Sequence, residues 1–524
     1  MVLETFLHNL HFDVDKLSPP DWEVDWEDAP LAYKLYRGLP IFPFSLEVPL
    51  TLEEWAVPSK PGFRRIGDFL WYAFGLTQFS QSIFPSDTPE QKEGFIQSFR
   101  RFAPSGGALY PNELYVYLKL DDLPAGIYHY DAAHHRLVLL REGNFDSYIA
   151  MALGNRCDMS ACFGTVFVST MFWKNFYKYN NFSYRLQGLD AGVLAGQLLE
   201  VAKRFGFESG VYFQFLDRAI NHLLGLSEQE ESVYTAILLS VEPTSWFTNV
   251  DIERSSTSGE LCGELPEIQC SHYVRSTRVK EYPLLLAMNE ASMLESTESF
   301  QHIHVPEEMK RQSGEISLPR TKPLSYDLAL ACRKRFSPEM DFVLGKVSLE
   351  QLSSLMREAA DSFSYRNDLD RAYYKKDSRV LLYGCLYNIE DISNGAYLYD
   401  SMDHSLREMK LGDQRSQLQY GMSLDNVNMQ QVPLCFHVAG DRNHLRKELG
   451  YRGYRIQQME AGMFVQRLLL AASALGMGGH PLLGFNADRC DEIYGMKSEG
   501  RTSLIQIPMG PYRDRPWLKG SLLS

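Results

Sequence analysis

Apolar residues recur along this chain with two periods, one typical of helices and one typical of strands. Residues 184–205 carry the helical period, and Gly206 stands where such a helix would end. The apolar positions of this stretch are Leu186, Leu189, Val193, Leu194, Leu198 and Val201. Apolar runs predict strands at 113–120, 235–241, 379–387 and 503–510, and a hairpin at 126–140. The pattern therefore indicates an α+β fold.

The chain contains this pattern twice. The segment YRLQGLDAGVLAGQLLEVAKRFGFESGVYFQFL begins at Tyr184, and it aligns without a gap with YRIQQMEAGMFVQRLLLAASALGMGGHPLLGFN, which begins at Tyr454. An upstream block beginning at Gly126 aligns with one at Gly395 in the same order. Repeats of this length predict two homologous domains, at 1–245 and 321–524. A Ser/Glu-rich linker is predicted at 246–320, with a short helix over its YPLLLAMNEASML stretch.

Composition narrows the class of protein. Hydrophobic residues are 45% and charged residues 23% of 524, which is ordinary for a globular chain. A net charge of −14 argues against a nucleic-acid partner, and no apolar run has the length of a membrane helix. The eight cysteines form neither a CxxC motif nor a Cys/His pair with zinc-finger spacing, which indicates reduced thiols and no metal site. The acidic N-terminus lacks a secretory signal pattern, so a cytoplasmic location is expected.

A loop of small residues precedes the strand at 113–120. It reads PSGGALYP, and its members are Pro104, Ser105, Gly106, Gly107, Ala108 and Leu109, followed by Tyr110 and Pro111. Small residues let a flat ligand approach the backbone closely, and the serine hydroxyl and peptide N–H groups are able to donate to such a ligand. An ordinary glycine-rich turn has the same composition, so the loop by itself leaves both interpretations open.

PSGGALYPNELYVYL, then GIYHYD, then YR…DAG…LGF occur in the order typical of the SagB/ThcOx-type dehydrogenases. These belong to the FMN-dependent nitroreductase superfamily, and the resemblance covers nearly the whole chain except the linker. It implies two tandem nitroreductase-like domains that form an intramolecular pseudo-dimer, because in that superfamily FMN lies between two subunits. It also implies that the loop 104–109 and the pair Tyr184 and Arg185 contact the cofactor.

Lys178 and Tyr179 stand just before this YR pair. The azoline-oxidising members of the family have a Lys-Tyr pair at this spacing, which the family uses in catalysis, so the resemblance implies the same for these two residues. An ammonium group beside a phenol lowers the pKa of the phenol, and the expectation is that Tyr179 accepts a proton near neutral pH. A solvated lysine beside a packed tyrosine is the alternative interpretation of a bare dipeptide.

The second half carries basic clusters and a glycine loop. Arg333, Lys334 and Arg335 resemble the N-terminal motif that grips the FMN phosphate, although the usual serine and final arginine are not clear. Pro481, Leu482, Leu483 and Gly484 stand where the family places a loop beside the flavin N5. Arg513 and Arg515 follow the last strand, where the family has a phosphate-binding basic residue. Arginine suits a phosphate because it binds in a bidentate manner.

Each half lacks predicted cofactor-site features that the other half retains. The second half has Glu448 and Leu449 in place of the Lys-Tyr pair, and AYYKKDS before its strand. The first half has Gln214 in place of the loop glycine and Glu242 near its chain end, where an acid disfavours a phosphate. The halves therefore predict one composite FMN site, with the pseudo-symmetric second site empty or remodelled.

The resemblance implies an FMN-dependent dehydrogenase that oxidises thiazoline or oxazoline rings of a ribosomally made peptide to azoles. Tyr179, assisted by Lys178, would remove the acidic proton, and the flavin would accept the hydride. The implied partners are the modified precursor peptide and a cyclodehydratase of the same pathway. Two alternatives stay open: an NAD(P)H-dependent flavin or nitro-type reductase, and a non-catalytic flavoprotein scaffold. No dinucleotide-binding, P-loop or GxSxG motif points to another chemistry.

Overall fold

A computed structural model describes residues 2–17, 19, 21–52, 59–84, 94–247, 255–303, 316–361, 365–370, 378–514 and 518–521. Its helices are α1 (Val2–Phe12), α2 (Phe63–Phe74), α3 (Asp146–Ala152), α4 (Trp173–Tyr179), α5 (Ser183–Arg204), α6 (Asp217–Leu224), α7 (Ser258–Glu264), α8 (Pro283–Ala291), α9 (Leu328–Lys334), α10 (Leu349–Ala360), α11 (Arg415–Tyr420), α12 (Arg446–Leu449), α13 (Arg452–Ala474) and α14 (Ala487–Tyr494).

The strands build one antiparallel-rich sheet in each half. They are β1 (Ile41–Pro43), β2 (Leu76–Phe84), β3 (Gly94–Arg101), β4 (Asn112–Leu120), β5 (Leu123–Asp131), β6 (Arg136–Glu142), β7 (Cys162–Met171), β8 (Glu208–Tyr212), β9 (Glu231–Ser240), β10 (Ile316–Ser317), β11 (Arg366–Asn367), β12 (Leu381–Leu386), β13 (Gly395–Asp400), β14 (Ser405–Leu411), β15 (Leu434–Asp441), β16 (Gly478–Gly479), β17 (Arg501–Gly510) and β18 (Leu518–Ser521). The orders are β1-β6-β5-β4-β7-β9-β8-β11 and β10-β14-β13-β12-β15-β17-β16, and β18-β2-β3 forms a third sheet.

The predicted α+β class and repeat are confirmed by this arrangement. The four predicted strands are β4, β9, β12 and β17, and the predicted hairpin is the antiparallel pair β5 and β6. The predicted long helix is α5. Gly206 lies just past its end with φ +68, a left-handed conformation that glycine adopts without strain.

The two long helices α5 and α13 cross in the centre of the molecule. A Cβ atom added to Gly192 would lie 2.0 Å from Met459 O, and one added to Gly462 would lie 2.2 Å from Leu189 O. The repeated Ala-Gly pair is therefore explained by this crossing, where two backbones approach too closely for any side chain. Tyr184 and Tyr454 stack across the same axis with centroids 6.0 Å apart, so the halves are related by a pseudo-twofold axis.

Strands and a helix of the second half also pair with or pack against the first half. Strand β11 joins the first sheet beside β8, β18 pairs with β2, and apolar residues of α9 pack into the first half's core. Within the predicted linker, α7 packs against α6, and α8 fills the YPLLLAMNEASML stretch where a short helix was predicted. The boundaries at 245 and 320 stay predictions.

The described helices include none that is both long and apolar enough to cross a membrane. All eight cysteines are described and none forms a disulfide; six are buried. Burial raises the pKa of Cys332 to about 12, which keeps this thiol protonated and unreactive.

Candidate functional site

The loop 104–109 is a tight turn anchored on helix α5. Ser105 Oγ donates to Asp190 Oδ2 at 2.6 Å and accepts from Tyr110 N at 2.9 Å, while Gly106 N donates to Asp190 Oδ1 at 3.1 Å. Because these bonds use the serine proton and the Gly106 amide, neither is available to a ligand. Asp190 takes the proton of the Ser105 hydroxyl, which shapes the loop, and a contact of Ser105 with the cofactor stays a prediction.

Gly107 is the exposed apex of this loop. Its φ is +63, and a Cβ atom there would lie 2.4 Å from Tyr179 Oη and 3.2 Å from Lys178 Nζ. Only glycine combines this backbone conformation with so close an approach. The structure therefore brings the predicted Ser/Gly loop and the predicted Lys-Tyr pair together. Pro104, Ala108 and Leu109 lie half-buried in the same turn.

Burial sets the protonation of the Lys-Tyr pair. Desolvation, with a contribution from the Asp190 carboxylate, raises the pKa of Tyr179 to about 12. Desolvation alone lowers the pKa of Lys178, whose Nζ lies 5.0 Å from the Tyr179 ring centroid. The expected lowering of the tyrosine pKa by the lysine is therefore wrong. In this environment Tyr179 keeps its proton, and Lys178 is the group whose neutral, basic form has become more accessible.

The floor beside this pair is apolar and joins the two halves. Leu186 and Leu189 of α5 belong to the same buried cluster as Leu483 of the second half, and Tyr179 and Phe182 pack against it. The predicted loop 481–484 and the Lys-Tyr pair therefore border the same apolar cluster, which contains residues of both halves.

The loop 481–484 offers free peptide groups. Leu482 N donates to Gln506 O at 2.7 Å, which ties the loop to β17. No acceptor among the described residues takes the amide protons of Leu483 and Gly484. Gly484 is half-buried, so its N–H is placed to donate to a bound group.

Arg335 and Arg100 have no carboxylate partner among the described residues, and both lie near Tyr110, which follows the loop 104–109. Arg335 is only 7% exposed and its Nε has no hydrogen-bond partner in the described chain. Arg100 of β3 donates to the Arg335 backbone carbonyl, and Tyr110 and Tyr512 lie close enough to influence Arg100 electrostatically. Burial and the nearby Arg100 lower the pKa of Arg335 to about 9. A bound anion would relieve this repulsion.

The other predicted basic residues have different surroundings. Arg333 Nη2 donates to Leu50 O at 2.9 Å, and Lys334 and Arg513 are exposed. Arg515 lies outside the described residues. Among the basic residues predicted to bind the phosphate, Arg335 alone is buried in the part of the chain that the structure describes.

Tyr184 and Arg185 do not join the loop. Tyr184 stacks on Tyr454, and the fully buried Arg185 donates to Leu10 O at 3.0 Å and Leu504 O at 2.6 Å. These two residues tie α5 to α1, α13 and β17 at the interface of the halves, and their implied contacts with the cofactor stay a prediction.

The pseudo-symmetric location is built differently. Asp368, beside β11, accepts from Phe213 N and Gln214 N at 2.9 Å each. These amides are the repeat equivalents of Leu483 N and Gly484 N, so a carboxylate of the chain occupies them. Glu448 and Leu449 line a cavity of about 570 Å³ there, together with Gln214 and residues 291–294, 299, 301 and 302. The segment AYYKKDS lies outside the described residues except for Ser378.

Sequence reasoning missed Arg100, Asp190 and Asp368. Asp190 lies inside the repeated helix α5, and nothing in the local sequence links it to the loop 85 positions earlier. Arg100 stood in a polar stretch with no distinguishing spacing. An adjacent Arg100-Arg101 pair just before the small-residue loop was the available signal for an anion site.

A family model described as "Nitroreductase family" matches residues 72–238 and 341–510, which together make up more than half of the chain. A nitroreductase-like protein from Anabaena variabilis ATCC 29413 superposes with a TM-score of 0.72 at 18% identity, over 98% of this chain and 99% of that one. A chain of the E. coli microcin synthetase McbBCD complex with truncated pro-MccB17 matches at 19% identity and a TM-score of 0.29, over 46% of this chain and 92% of that one.

One curated relative is the trifolitoxin-processing protein TfxB of Rhizobium leguminosarum bv. trifolii. It is 27% identical over 149 residues, which are 27% of this chain. The match spans about 40% of the length of that relative.

Proposed function

Because this chain belongs to the nitroreductase family of flavin-dependent oxidoreductases, we propose that it holds one FMN between its halves and oxidises azoline rings of a ribosomally made peptide to azoles. Thiazolines and oxazolines formed from Cys, Ser or Thr are the proposed substrates. The second, pseudo-symmetric location is proposed not to hold flavin, because the Asp368 carboxylate already accepts its two loop amides.

The residues present suit FMN. Arg335 and Arg100 offer uncompensated buried charge for the phosphate, and Gly107 opens the loop for a flat ring. Leu483 N and Gly484 N offer unpaired donors at the opposite wall. FMN, when bound, supplies the two-electron acceptor for the dehydrogenation.

The observation that carries the proposal is Lys178. Burial favours its neutral form, no described carboxylate pairs with it, and its Nζ lies beside the Gly107 apex. We assign Lys178 as the base that takes the ring Cα proton, and Tyr179 as the hydroxyl donor that orients the ring. A reductase that passes hydride between a nicotinamide and a flavin needs no such base.

The substrate class rests on the resemblance to the SagB/ThcOx-type dehydrogenases and on the likeness to a trifolitoxin-processing protein. A peptide whose rings were formed beforehand requires a ring-forming enzyme. A cyclodehydratase is therefore the proposed partner, together with the modified precursor peptide.

The purified protein with its flavin is expected to remove two hydrogens from a thiazoline-containing peptide, detected by mass spectrometry. In the absence of oxygen, one equivalent of peptide should bleach the flavin absorbance once, because the electrons then stay on the cofactor. NAD(P)H should bleach it far more slowly. Rapid bleaching by NAD(P)H with an unchanged peptide would instead support the reductase alternative.

Asp190 gives a pH dependence to flavin binding. Burial raises its pKa to about 6 from an ordinary value of 3.8, so below pH 6 it gains a proton and loses an acceptor site for Ser105 or Gly106. FMN affinity is expected to fall roughly three- to tenfold as the pH drops through 6, the cost of about one hydrogen bond. Asp190→Asn should bind FMN weakly at every pH.

Fluorescence titration of FMN between pH 5 and 8 checks this prediction. Glu460→Gln is the matched control, because Glu460 is the repeat equivalent of Asp190 and bonds Arg379 and Tyr365 instead. The raised pKa also means that the fold binds this proton more tightly than the unfolded chain does, so the stability that the proton contributes is lost as the pH rises from 3.8 to about 6. A flat FMN profile in the wild-type protein would contradict the role of Asp190.

A further inference from the structure

Residues 291–303 of this chain lie on the first half where the repeat places the counterpart of the active loop. Gln301 N donates to Gln214 Oε1 at 2.7 Å, and Gln214 Nε2 donates to Gln301 O at 2.8 Å. Gln214 is the repeat equivalent of Gly484. The first half thus binds a peptide segment, through its backbone, at the position that corresponds to the proposed flavin-side loop.

The same segment covers the turn after helix α3. The Phe300 ring centroid lies 4.5 Å from the Arg156 guanidinium carbon, and a Cβ atom on Gly154 would lie 3.1 Å from that ring. Phe300 itself has an extended backbone. This stretch of chain therefore covers the turn in the first half with the large apolar side chain of Phe300.

The turn after helix α11 is the counterpart in the second half. Leu216 N donates to Ala152 O in the first half, and Asn486 N donates to Gly421 O in the second. These matching bonds identify Gly421 with Ala152, so the residues that follow each are equivalent. Ser423 N donates to Gly484 O at 2.9 Å, which places this turn directly beside the proposed flavin-side loop.

This second turn carries exposed apolar side chains. Tyr420 is 76% exposed and Leu424 is 70% exposed, while the Arg489 guanidinium lies over the Tyr420 ring at 4.5 Å. Because both side chains are exposed, no described segment covers this turn of the second half as residues 291–303 cover the equivalent turn of the first half. Two large apolar groups beside a binding site are suited to contact a ligand.

We propose that Tyr420 and Leu424 form the docking surface for the peptide substrate, which lies across Gly484 as residues 291–303 lie across Gln214. This inference rests on the proposed function, since it takes the substrate to be a peptide. The occupant is a peptide segment with a large apolar residue next to its azoline ring, because the segment that fills the equivalent place in the first half presents the large apolar side chain of Phe300. Gly484 has no side chain, so the main chain there stays open to the ligand.

Leu424→Ser and Tyr420→Ser are each expected to raise the KM for an azoline peptide roughly tenfold, since each removes a large apolar contact. The kcat and the FMN content should stay unchanged, because neither residue belongs to the flavin site. Leu46→Ser is the matched control: Leu46 is 91% exposed on the first half, and its replacement should change neither constant. An unchanged KM in both variants, with the wild-type protein oxidising the peptide, overturns the docking surface and leaves the proposed function intact.

Binding measured without turnover separates the two proposals. Fluorescence anisotropy of the same labelled peptide should show tight binding to the wild-type protein and roughly tenfold weaker binding to Leu424→Ser. If the peptide binds in this manner but is never oxidised, the docking surface stands and the azoline chemistry fails. If the peptide does not bind the wild-type protein, or binds Leu424→Ser as tightly as the wild type, the docking surface is refuted.

Discussion

Lys178→Ala is expected to lower turnover of an azoline peptide by roughly 10²–10⁴-fold, the range for removal of a general base. The reason is the position of its amine: Nζ lies beside the Gly107 apex and over the Tyr179 ring, and burial lowers its pKa toward the range in which a neutral amine is available. Tyr179→Phe should cost less, because the hydroxyl, with its pKa raised to about 12, orients the ring without ionising.

Lys178→Arg distinguishes the base from a mere positive charge. An arginine keeps the charge and cannot lose its proton at any ordinary pH, so it should be as inactive as the alanine variant. Steady-state rates across pH, with flavin content measured on each preparation, check both variants. Glu448→Ala, at the repeat-equivalent position, should leave the rate unchanged. Recovery of activity by the arginine variant would contradict the assignment of Lys178 as the base.

The repeat could be predicted because the two halves carry the same residue types at the same spacing. The Ala-Gly pairs at 191–192 and 461–462 recur at the same place in two helices, and the structure gives the cause: each glycine meets the backbone of the other helix. A constraint that acts on both halves at one crossing leaves the same trace in each. The helix, the four strands and the hairpin followed from the same local patterns.

The sequence also predicted that the second location differs from the first, but it did not show which residues make the difference. Replacement of a glycine by Gln214 and of Lys178 by Glu448 predicted a remodelled second location. The carboxylate that occupies its amides, Asp368, comes from the second half and reaches them because β11 pairs with β8. Nothing local to residues 365–370 indicates this pairing, since it joins positions more than 150 residues apart.

Protonation was the part that sequence reasoning had wrong. A neighbouring lysine suggests a lowered tyrosine pKa, but burial dominates here and raises it. Tyr179 packs against an apolar cluster that contains Leu186 and Leu189 of the first half and Leu483 of the second, so its burial cannot be seen in the local sequence. In the same way, Ser105 looked like a ligand donor because Asp190 is 85 positions away in the chain.

Arg335→Met is expected to weaken FMN binding roughly ten- to hundredfold, because a charge-assisted hydrogen bond to a phosphate contributes about 1.5–3 kcal/mol. Riboflavin lacks the phosphate, so its affinity should be unchanged, and this contrast assigns the loss to the phosphate end. Flavin released from the purified wild-type protein should amount to one per chain. Lys334→Met is the matched control, because the Lys334 side chain is exposed although it is next to Arg335 in the chain.

The stability of the flavin-free variant supplies the second half of this test. Arg335 is a buried cation that is repelled by Arg100 and has no carboxylate partner among the described residues, so in the absence of a ligand it costs the fold stability. Arg335→Met should therefore unfold at the same temperature as the flavin-free wild-type protein or higher, while it loses the stabilisation that added FMN gives the wild type. A variant that unfolds earlier would indicate that Arg335 holds the fold. Equal losses of FMN and riboflavin affinity would place the phosphate elsewhere, because only one of the two ligands carries the charge that Arg335 is proposed to bind.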